Sequence, residues 1–356
     1  MAHKTISIRN TFTSKRFARF VVSANTISAI IGILCFLCIA AFGFLSFDFT
    51  HYVQSENSSA LTYGVANTSA DMVSISSQLD ADRSFFASKY VPYMANGFSV
   101  GMWNIQILGQ QKWGNVTLRT ELLSYVSLFD IAIVQEIRDA QGVVVREICE
   151  EMGLRNYSCI YGVRAGRTSA TEQYALFFRS NASFQIHEVL DLADATQFNG
   201  IDYYLYWERP PLLVVFEYAQ VNFTLATIHV RPSDAVAEIG FLDKAFADET
   251  DPFILIGDLN ADCAYYRQSQ HTHFAEWHWI IPAGYDTTLS ERTCAYDRII
   301  VNSGAYAYFA QNYGIITENI TTEHSDHYPI WAQFRVDSEN IDVLLASLES
   351  AVSDNY

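Results

Sequence analysis

Residues 253–262 read FILIGDLNAD: Phe253, Ile254, Leu255 and Ile256 run directly into Gly257, Asp258, Asn260 and Asp262. An unbroken apolar run of this length reads as a buried strand whose carboxyl end opens into a polar environment. Burying a carboxylate beside such a strand is costly unless a cation or hydrogen-bond donors replace the lost water. The string is therefore either half of a site or a strand closed by an Asx-type turn. The remainder of the chain decides between them.

The 356 residues are 50% hydrophobic, enough for one large domain with appendages. Net charge is −17, yet the first twenty residues hold Lys4, Arg9, Lys15, Arg16 and Arg19 without an acid, leaving −22 on the rest. Such an acidic body repels polyanions at long range, so a nucleic-acid or phosphate substrate would need divalent cations and local arginines. Of six cysteines, Cys35 and Cys38 fall in an apolar run, Cys149 and Cys159 are ten apart, and Cys263 and Cys294 flank polar clusters. None has zinc-ligand spacing.

Residues 21–47 contain no charge, and 27–47, dense in Ile, Leu, Phe, Ala and Cys, would span roughly 32 Å as a helix. A cleaved signal peptide and a buried core helix compete with a membrane anchor; the length of the run and the basic leader favour the anchor. Positive charge ahead of the span places residues 1–20 in the cytoplasm and the rest in a lumen or outside the cell. Seven sequons, at Asn57, Asn67, Asn115, Asn156, Asn181, Asn222 and Asn319, all follow the span. An oxidising compartment would also allow Cys263 to pair with Cys294, a connectivity that sequence leaves open.

Residues 48–97 read as a stem, rich in Ser, Asn and Thr at first, with aromatic residues and a short helix expected at 78–96. The main domain is expected at 98–336. Strands are expected at 98–105, 131–135, 157–163, 174–179, 212–218, 223–230, 253–256, 298–301 and 329–336, and helices at 116–128, 143–151 and 235–248. Many strands with few helices indicate an α/β sandwich of two sheets. Residues 337–356 read as a tail with a short terminal helix.

Polar residues recur at the strand ends: Asn104, Gln135 and Glu136, Glu172, His229, Asp258 and Asn260, Asp297, then Asp326 and His327. Ends on one edge converge, so distant segments can build a single pocket. Glu136, Asp258, Asn260 and Asp326 offer the oxygen ligands that a hard cation such as Mg2+ prefers. His229 and His327, set among carboxylates, suit acid–base work because a carboxylate orients an imidazole and raises its basicity. The other seven histidines (His3, His51, His187, His271, His273, His278 and His324) lack that context.

These motifs carry a resemblance. WNIQILG, VQEIRD, GRTSATEQYALFFR, WERPPLLVVF, IHVRPSDAVAEI, GDLNADCAYY, TCAYDRIIV and SDHYP occur in an order and spacing similar to those of the deoxyribonuclease I family, within the endonuclease/exonuclease/phosphatase superfamily. QE, GDxN and SDH are shared across the superfamily; RPSDAVAEI, NADCAYY and CAYDR are particular to deoxyribonuclease I. The resemblance implies a four-layered α/β/β/α sandwich with two mixed sheets, hydrolysing DNA to 5′-phosphates with Mg2+ or Mn2+. It implies that Asn104, Glu136, Asp258, Asn260 and Asp326 hold metal or the scissile phosphate. Glu172 would partner His229 and Asp297 would partner His327, one His activating water and the other protonating the leaving 3′ oxygen. It further implies DNA contact by Arg138 and Arg209, a Cys263–Cys294 disulfide, and a glycan at Asn115.

The departures also carry expectations. The family's small second disulfide has no counterpart between 191 and 206. Gln106 replaces a groove-entering arginine and Ala170 a stacking tyrosine, so DNA contact should be patterned differently, with phosphates supplying most of the affinity. Asp286 and Thr288 resemble part of a structural Ca2+ site, with Arg292 where the family has another ligand. Ile160 and Tyr161 replace the valines of an actin-contacting strand, so actin binding is not expected. Lipid head-group phosphodiester or phosphomonoester hydrolysis at a membrane is the alternative activity, and a non-catalytic binding module the alternative class.

Overall fold

The computed structural model describes residues 91–194, 202–246, 248–270 and 272–337. The expected cytoplasmic tail at 1–20, the anchor at 21–47, most of the stem, and the terminal helix lie outside them. Among the described residues no helix is long and apolar enough to cross a membrane. The described end of the stem, 91–96, is bends and turn where a helix was expected. Val91 nonetheless packs into the domain, and the Pro92 carbonyl accepts from Gln333 Nε2 at 2.7 Å.

Among the described residues twelve strands form two six-stranded sheets. The first contains β1 (Gly97–Leu108), β2 (Ile131–Ile137), β3 (Tyr157–Tyr161), β4 (Gln173–Arg179), β11 (Phe309–Ile315) and β12 (Ile330–Arg335), in the order β11-β12-β1-β2-β4-β3. The second contains β5 (Gln185–Asp191), β6 (Leu212–Tyr218), β7 (Val221–Thr227), β8 (Phe253–Asp258), β9 (His278–Trp279) and β10 (Asp297–Val301), in the order β5-β6-β7-β8-β10-β9. Each sheet has one parallel pair at its centre, β1 with β2 and β7 with β8, and antiparallel neighbours.

Strand alternation sorts the side chains into layers. Val100 and Met102 of β1, Ile131 and Ile133 of β2, Leu176 and Phe178 of β4, Leu225 of β7, Ile254 and Ile256 of β8 and Ile299 of β10 share the core between the sheets. The alternate residues Trp103, Ile105, Ala132, Val134 and Phe177 face outward and pack under helices. Those helices are α1 (Gln110–Trp113), α2 (Val116–Val126) and α3 (Val143–Gly153). Asn115 caps α2 by accepting from Leu118 N at 3.2 Å, and Leu118, Leu122 and Leu123 line its buried face. Gly142 at the start of α3 has no capping side chain; Asp139 Oδ2 takes that role, accepting from Val143 N and Val144 N at 2.6 and 3.0 Å. On the second sheet α4 (Ala235–Phe246) lies outward, its Phe246 ring 5.1 Å from that of Phe253. A last short helix, α5 (Ser303–Tyr306), follows β10.

The three strands not anticipated are β5, β9 and β11. β5 is a largely exposed edge with no apolar row, β9 has two residues, and β11 is interrupted at Gln311, whose φ is 58°.

Gly257 is crowded by the chain leaving the neighbouring strand β7 and by Gln135 of the other sheet. A Cβ there would stand 2.0 Å from the Ile228 carbonyl oxygen and 2.9 Å from Gln135 Nε2. Gly257→Ala should therefore destabilise the fold by about 3 kcal/mol or more, read as a lowered urea midpoint. An unchanged midpoint would contradict this packing.

Candidate active site

The inward rows that build the core end in polar residues at one rim. On β1 the row Val100, Met102 continues to Asn104; on β2, Ile131, Ile133 continues to Gln135; on β8, Ile254, Ile256 continues to Asp258. Read toward the rim, Phe178, Leu176 and Tyr174 of β4 lead to Glu172. Val221, Phe223 and Leu225 of β7 lead through Thr227 to His229. Val301 and Ile299 lead to Asp297. Period-two alternation alone therefore aims six polar side chains into the gap between the sheets.

Gln135 holds the two sheets in register there. Its Nε2 donates to Thr227 Oγ1 and the Ile228 carbonyl at 3.0 and 2.9 Å, and its Oε1 accepts from Asp258 N at 3.0 Å. Asp258, 2% exposed, is the centre of the group. Its Oδ1 accepts from Asn260 N at 3.0 Å, an Asx turn. Its Oδ2 accepts from Asn104 Nδ2 at 3.0 Å and lies 3.4 Å from His229 Nε2 and 3.6 Å from His327 Nε2. Both openings offered by the sequence string are thus present in one side chain.

Each histidine backs onto its own carboxylate. His229 Nδ1 is 2.7 Å from Glu172 Oε1, and His327 Nδ1 is 2.7 Å from Asp297 Oδ2. With each Nδ1–H donating to a carboxylate, both Nε2 atoms turn toward Asp258. Burial opposes the charge on Glu172, but His229 and Arg209 beside it hold its carboxyl below the ordinary range. Burial likewise opposes a charged His327; Asp297 and Asp258 prevail and push the imidazole up to about 10.

Glu136 enters by a different route. It follows the inward-facing Gln135, and a register irregularity with φ of 61° at Glu136 turns it into the gap. There its Oε1 accepts from Asn104 Nδ2 at 3.3 Å, and its Oε2 accepts from Ile107 N and meets Arg138 Nη2, both at 3.0 Å. Arg138 Nη2 is also 3.6 Å from Glu172 Oε2. Arg209, expected against DNA, is only 4% exposed: Nε donates to the His229 carbonyl at 3.0 Å and Nη1 lies 3.3 Å from Glu172 Oε2. It braces the His229–Glu172 pair from behind.

Among the described residues two groups could each hold a cation, Glu136 with Glu172 and His229, and Asp258 with Asp297 and His327; ligand atoms within each lie within 4.8 Å of one another. Since Glu172 and Asp297 already serve the histidines, Glu136 and Asp258 are the carboxylates left to a metal, one from each group. Asn104 Oδ1 between them is buried without a hydrogen-bond partner, as expected where a further ligand completes the site. Asp326 stands at the mouth, 48% exposed on its side chain, with Oδ2 accepting from Gln106 Nε2 at 2.8 Å and Oδ1 3.9 Å from His327 Nε2. Asn260, with φ of 47°, gives its side-chain amide to the Val230 carbonyl at 3.0 Å.

The surrounding loops are tied down by residues that sequence reading passed over. Ser325 Oγ donates to the Asn104 carbonyl at 2.6 Å and accepts from Gln106 N and His327 N, both at 3.1 Å. Arg298, fully buried, donates at 2.7 Å to each of the Ala261, Ile281 and Ala295 carbonyls, joining the loops beside Asn260 and Asp297. Cys263–Cys294 is disulfide-bonded next to them, and Asp262 is structural, accepting from Cys263 N and Ala295 N. A second disulfide, Cys149–Cys159, joins α3 to β3. Asp286 and Thr288 belong to neither cation group: Asp286 Oδ1 accepts from Thr288 N and Cys294 N at 3.4 Å each, and Thr288 Oγ1 meets Ser290 Oγ at 2.9 Å. Behind the site, Glu238 of α4 accepts from Glu208 N at 2.8 Å and Arg231 N at 3.2 Å, linking the loops that carry Arg209 and His229.

A family model described as Endonuclease/Exonuclease/phosphatase family matches residues 103–327. The chain is 30% identical to Deoxyribonuclease-1 of Bos taurus over 258 residues, covering 65% of this chain and 90% of that protein. It is 29% identical to Deoxyribonuclease-1 of Homo sapiens over 274 residues, covering 66% and 92%. Among solved structures, that of humanized D. rerio TDP2 matches with a TM-score of 0.50 at 15% identity, covering 68% of this chain and 100% of that chain, a likeness of fold.

Burial lifts the Glu238 carboxyl from 4.5 to about 7, against the pull of the two N–H groups. With the folded value above the unfolded one, its contribution to stability is fully present below pH 4.5 and is lost as pH rises through 7. Glu238→Gln should flatten this fall, a difference on the order of 3 kcal/mol across the window. Urea titrations at several pH values check it; a pH slope equal to that of the parent would refute it.

Proposed function

Because the chain belongs to the Endonuclease/Exonuclease/phosphatase family, we propose that it is a divalent-metal-dependent deoxyribonuclease, an endonuclease that leaves 5′-phosphate and 3′-hydroxyl ends. The observation that carries this reading is the approach of two His–carboxylate pairs to one Asp258 oxygen, 3.4 Å from His229 Nε2 and 3.6 Å from His327 Nε2. DNA, rather than another phosphodiester, is favoured by the 30% identity to a protein named Deoxyribonuclease-1 across 90% of its length.

A phosphodiester seated between the imidazoles has a base on one side and an acid on the other. One histidine takes the proton of the attacking water; the other returns a proton to the departing 3′ oxygen, so the pair ends with its proton count unchanged. Glu172 and Asp297 hold the rings in the orientation this requires and stabilise the imidazolium form. Arg209 keeps Glu172 ionised, and Asn104 fixes Glu136 and Asp258. Glu136, Asp258, Asn260 and Asp326 would hold Mg2+ or Mn2+, with the unpartnered Asn104 Oδ1 as a further oxygen. When bound, the ion supplies positive charge against the phosphate oxygens as charge develops on them.

The catalytic domain is proposed to lie in a lumen or outside the cell, tethered through residues 21–47. Two disulfides within the described residues support an oxidising compartment. The asparagines of all five sequons among the described residues, Asn115, Asn156, Asn181, Asn222 and Asn319, are exposed, as glycan attachment requires.

The full chain should nick supercoiled plasmid in Mg2+ and lose that activity to a chelator. His229→Ala and His327→Ala should each lower the rate by about 10²–10⁴-fold. Plasmid left intact by the parent, with phosphocholine or inorganic phosphate released from lipid vesicles instead, would replace the nuclease reading with a lipid one.

A further inference from the structure

The rim carrying Glu172 and His229 continues into a second set of charges that the acid–base pairs do not use. Arg167 stands on the loop before β4, five residues ahead of Glu172, and Arg231 on the loop after β7, two residues past His229. Both reach one carboxylate oxygen. Glu208 Oε2 lies 3.4 Å from Arg167 Nε and 3.7 Å from Arg231 Nη1, while Glu208 Oε1 accepts from Thr168 N at 2.8 Å.

The exposures are opposite in sense. The Glu208 side chain is 2% exposed, whereas those of Arg167 and Arg231 are 40% and 42% exposed. The negative partner is hidden and the positive heads are presented. Arg231 Nη1 also meets Asp234 Oδ2 at 3.3 Å. The Nη groups of Arg167 and Nη2 of Arg231 have no protein partner among the described residues, and are left to face a ligand. Two guanidinium groups within 3.7 Å of one buried carboxylate oxygen, which makes no hydrogen bond of its own, are near enough for their forked donors to grip a single tetrahedral phosphate.

We propose that Arg167 and Arg231, oriented by Glu208, form a binding site for one backbone phosphate of DNA flanking the phosphate under attack. The inference rests on the deoxyribonuclease reading and extends it. Since each arginine shares its loop with one member of the Glu172–His229 pair, phosphate held here sets the strand's position relative to those catalytic groups. In a chain of net charge −17 such a local cationic pair is what lets a polyanion approach.

The test measures binding of a fluorescent duplex oligonucleotide to the full chain in Mg2+ across a salt series, with His327→Ala added to every protein in this binding measurement to suppress turnover. Replacing both arginines by alanine should make the slope of log K against log salt shallower by about 0.9, the loss of one phosphate contact. Arg167→Ala and Arg231→Ala singly should show most of that change because they share the phosphate, and Arg231→Lys should retain the parental slope. In Mg2+ the alanine variants should raise KM for DNA more than they lower kcat. A purely structural tie between loops would instead lower kcat in Arg231→Ala and Arg231→Lys alike at a parental salt slope, and would overturn the site. Absence of salt-dependent DNA binding by the parent would overturn the nuclease reading as well; parental binding with an unchanged slope in the double variant overturns this site alone.

Discussion

One buried carboxylate governs the assembly. Asp258 is 2% exposed, and an isolated charge so placed would be destabilising by several kcal/mol. Its compensation comes from both sheets: Asn104 Nδ2 from β1 onto Oδ2, Asn260 N onto Oδ1, and His229 and His327 facing Oδ2. Gln135 of the first sheet fixes the Asp258 main chain and the β7 exit together. The sheets must therefore close in correct register before the carboxylate is tolerated. Closing them is the same event as bringing the two histidines together.

This arrangement leaves a local excess of negative charge. Glu136, Glu172, Asp258, Asp297 and Asp326 crowd one end of the sandwich, while Arg138 and Arg209 answer chiefly Glu136 and Glu172. Asp297 and Asp258 both bear on His327 and outweigh the burial that opposes its charge, which is why it is pushed up to about 10. A divalent cation between Glu136 and Asp258 would relieve that excess and compete with the proton on the imidazole. Under the proposed function, the acidity that first argued against a phosphate substrate would be, at this end of the fold, the means of recruiting the charge such a substrate needs.

Much of this was legible because period two is a strict rule. Rows such as Val100, Met102, Asn104 and Ile254, Ile256, Asp258 announce both the buried face and the point where it turns polar, so the core and most of the site residues follow from one pattern. Elements without an apolar row escaped it: the exposed edge β5, the two-residue β9 and the bent β11. Supporting residues escaped for another reason. Nothing local distinguishes Ser325, Arg298 or Glu238 from surface polar residues; each acquires its role from main-chain groups far away in sequence. The burial of Arg209 behind Glu172 is hidden for the same reason, being a tertiary fact. The charge-free run at 21–47 lies outside the described residues.

The replacements around the cleft shift recognition in a definite direction under the proposed function. A side chain reads a groove only if its donors are free when it arrives. The Gln106 amide is already given to Asp326, and Ala170 offers no ring to stack. Arg138 is held between Glu136 and Glu172 through Nη2 alone, which turns the group toward the carboxylates while its Nε stays without a hydrogen-bond partner. More exposed cations with donors to spare are Arg167 and Arg231, where a strand would present phosphates rather than base edges. Phosphates carry no sequence information directly. A catalytic centre of this kind, coupled to outlying arginines, therefore favours cleavage governed by backbone geometry and ionic strength, with little discrimination among bases.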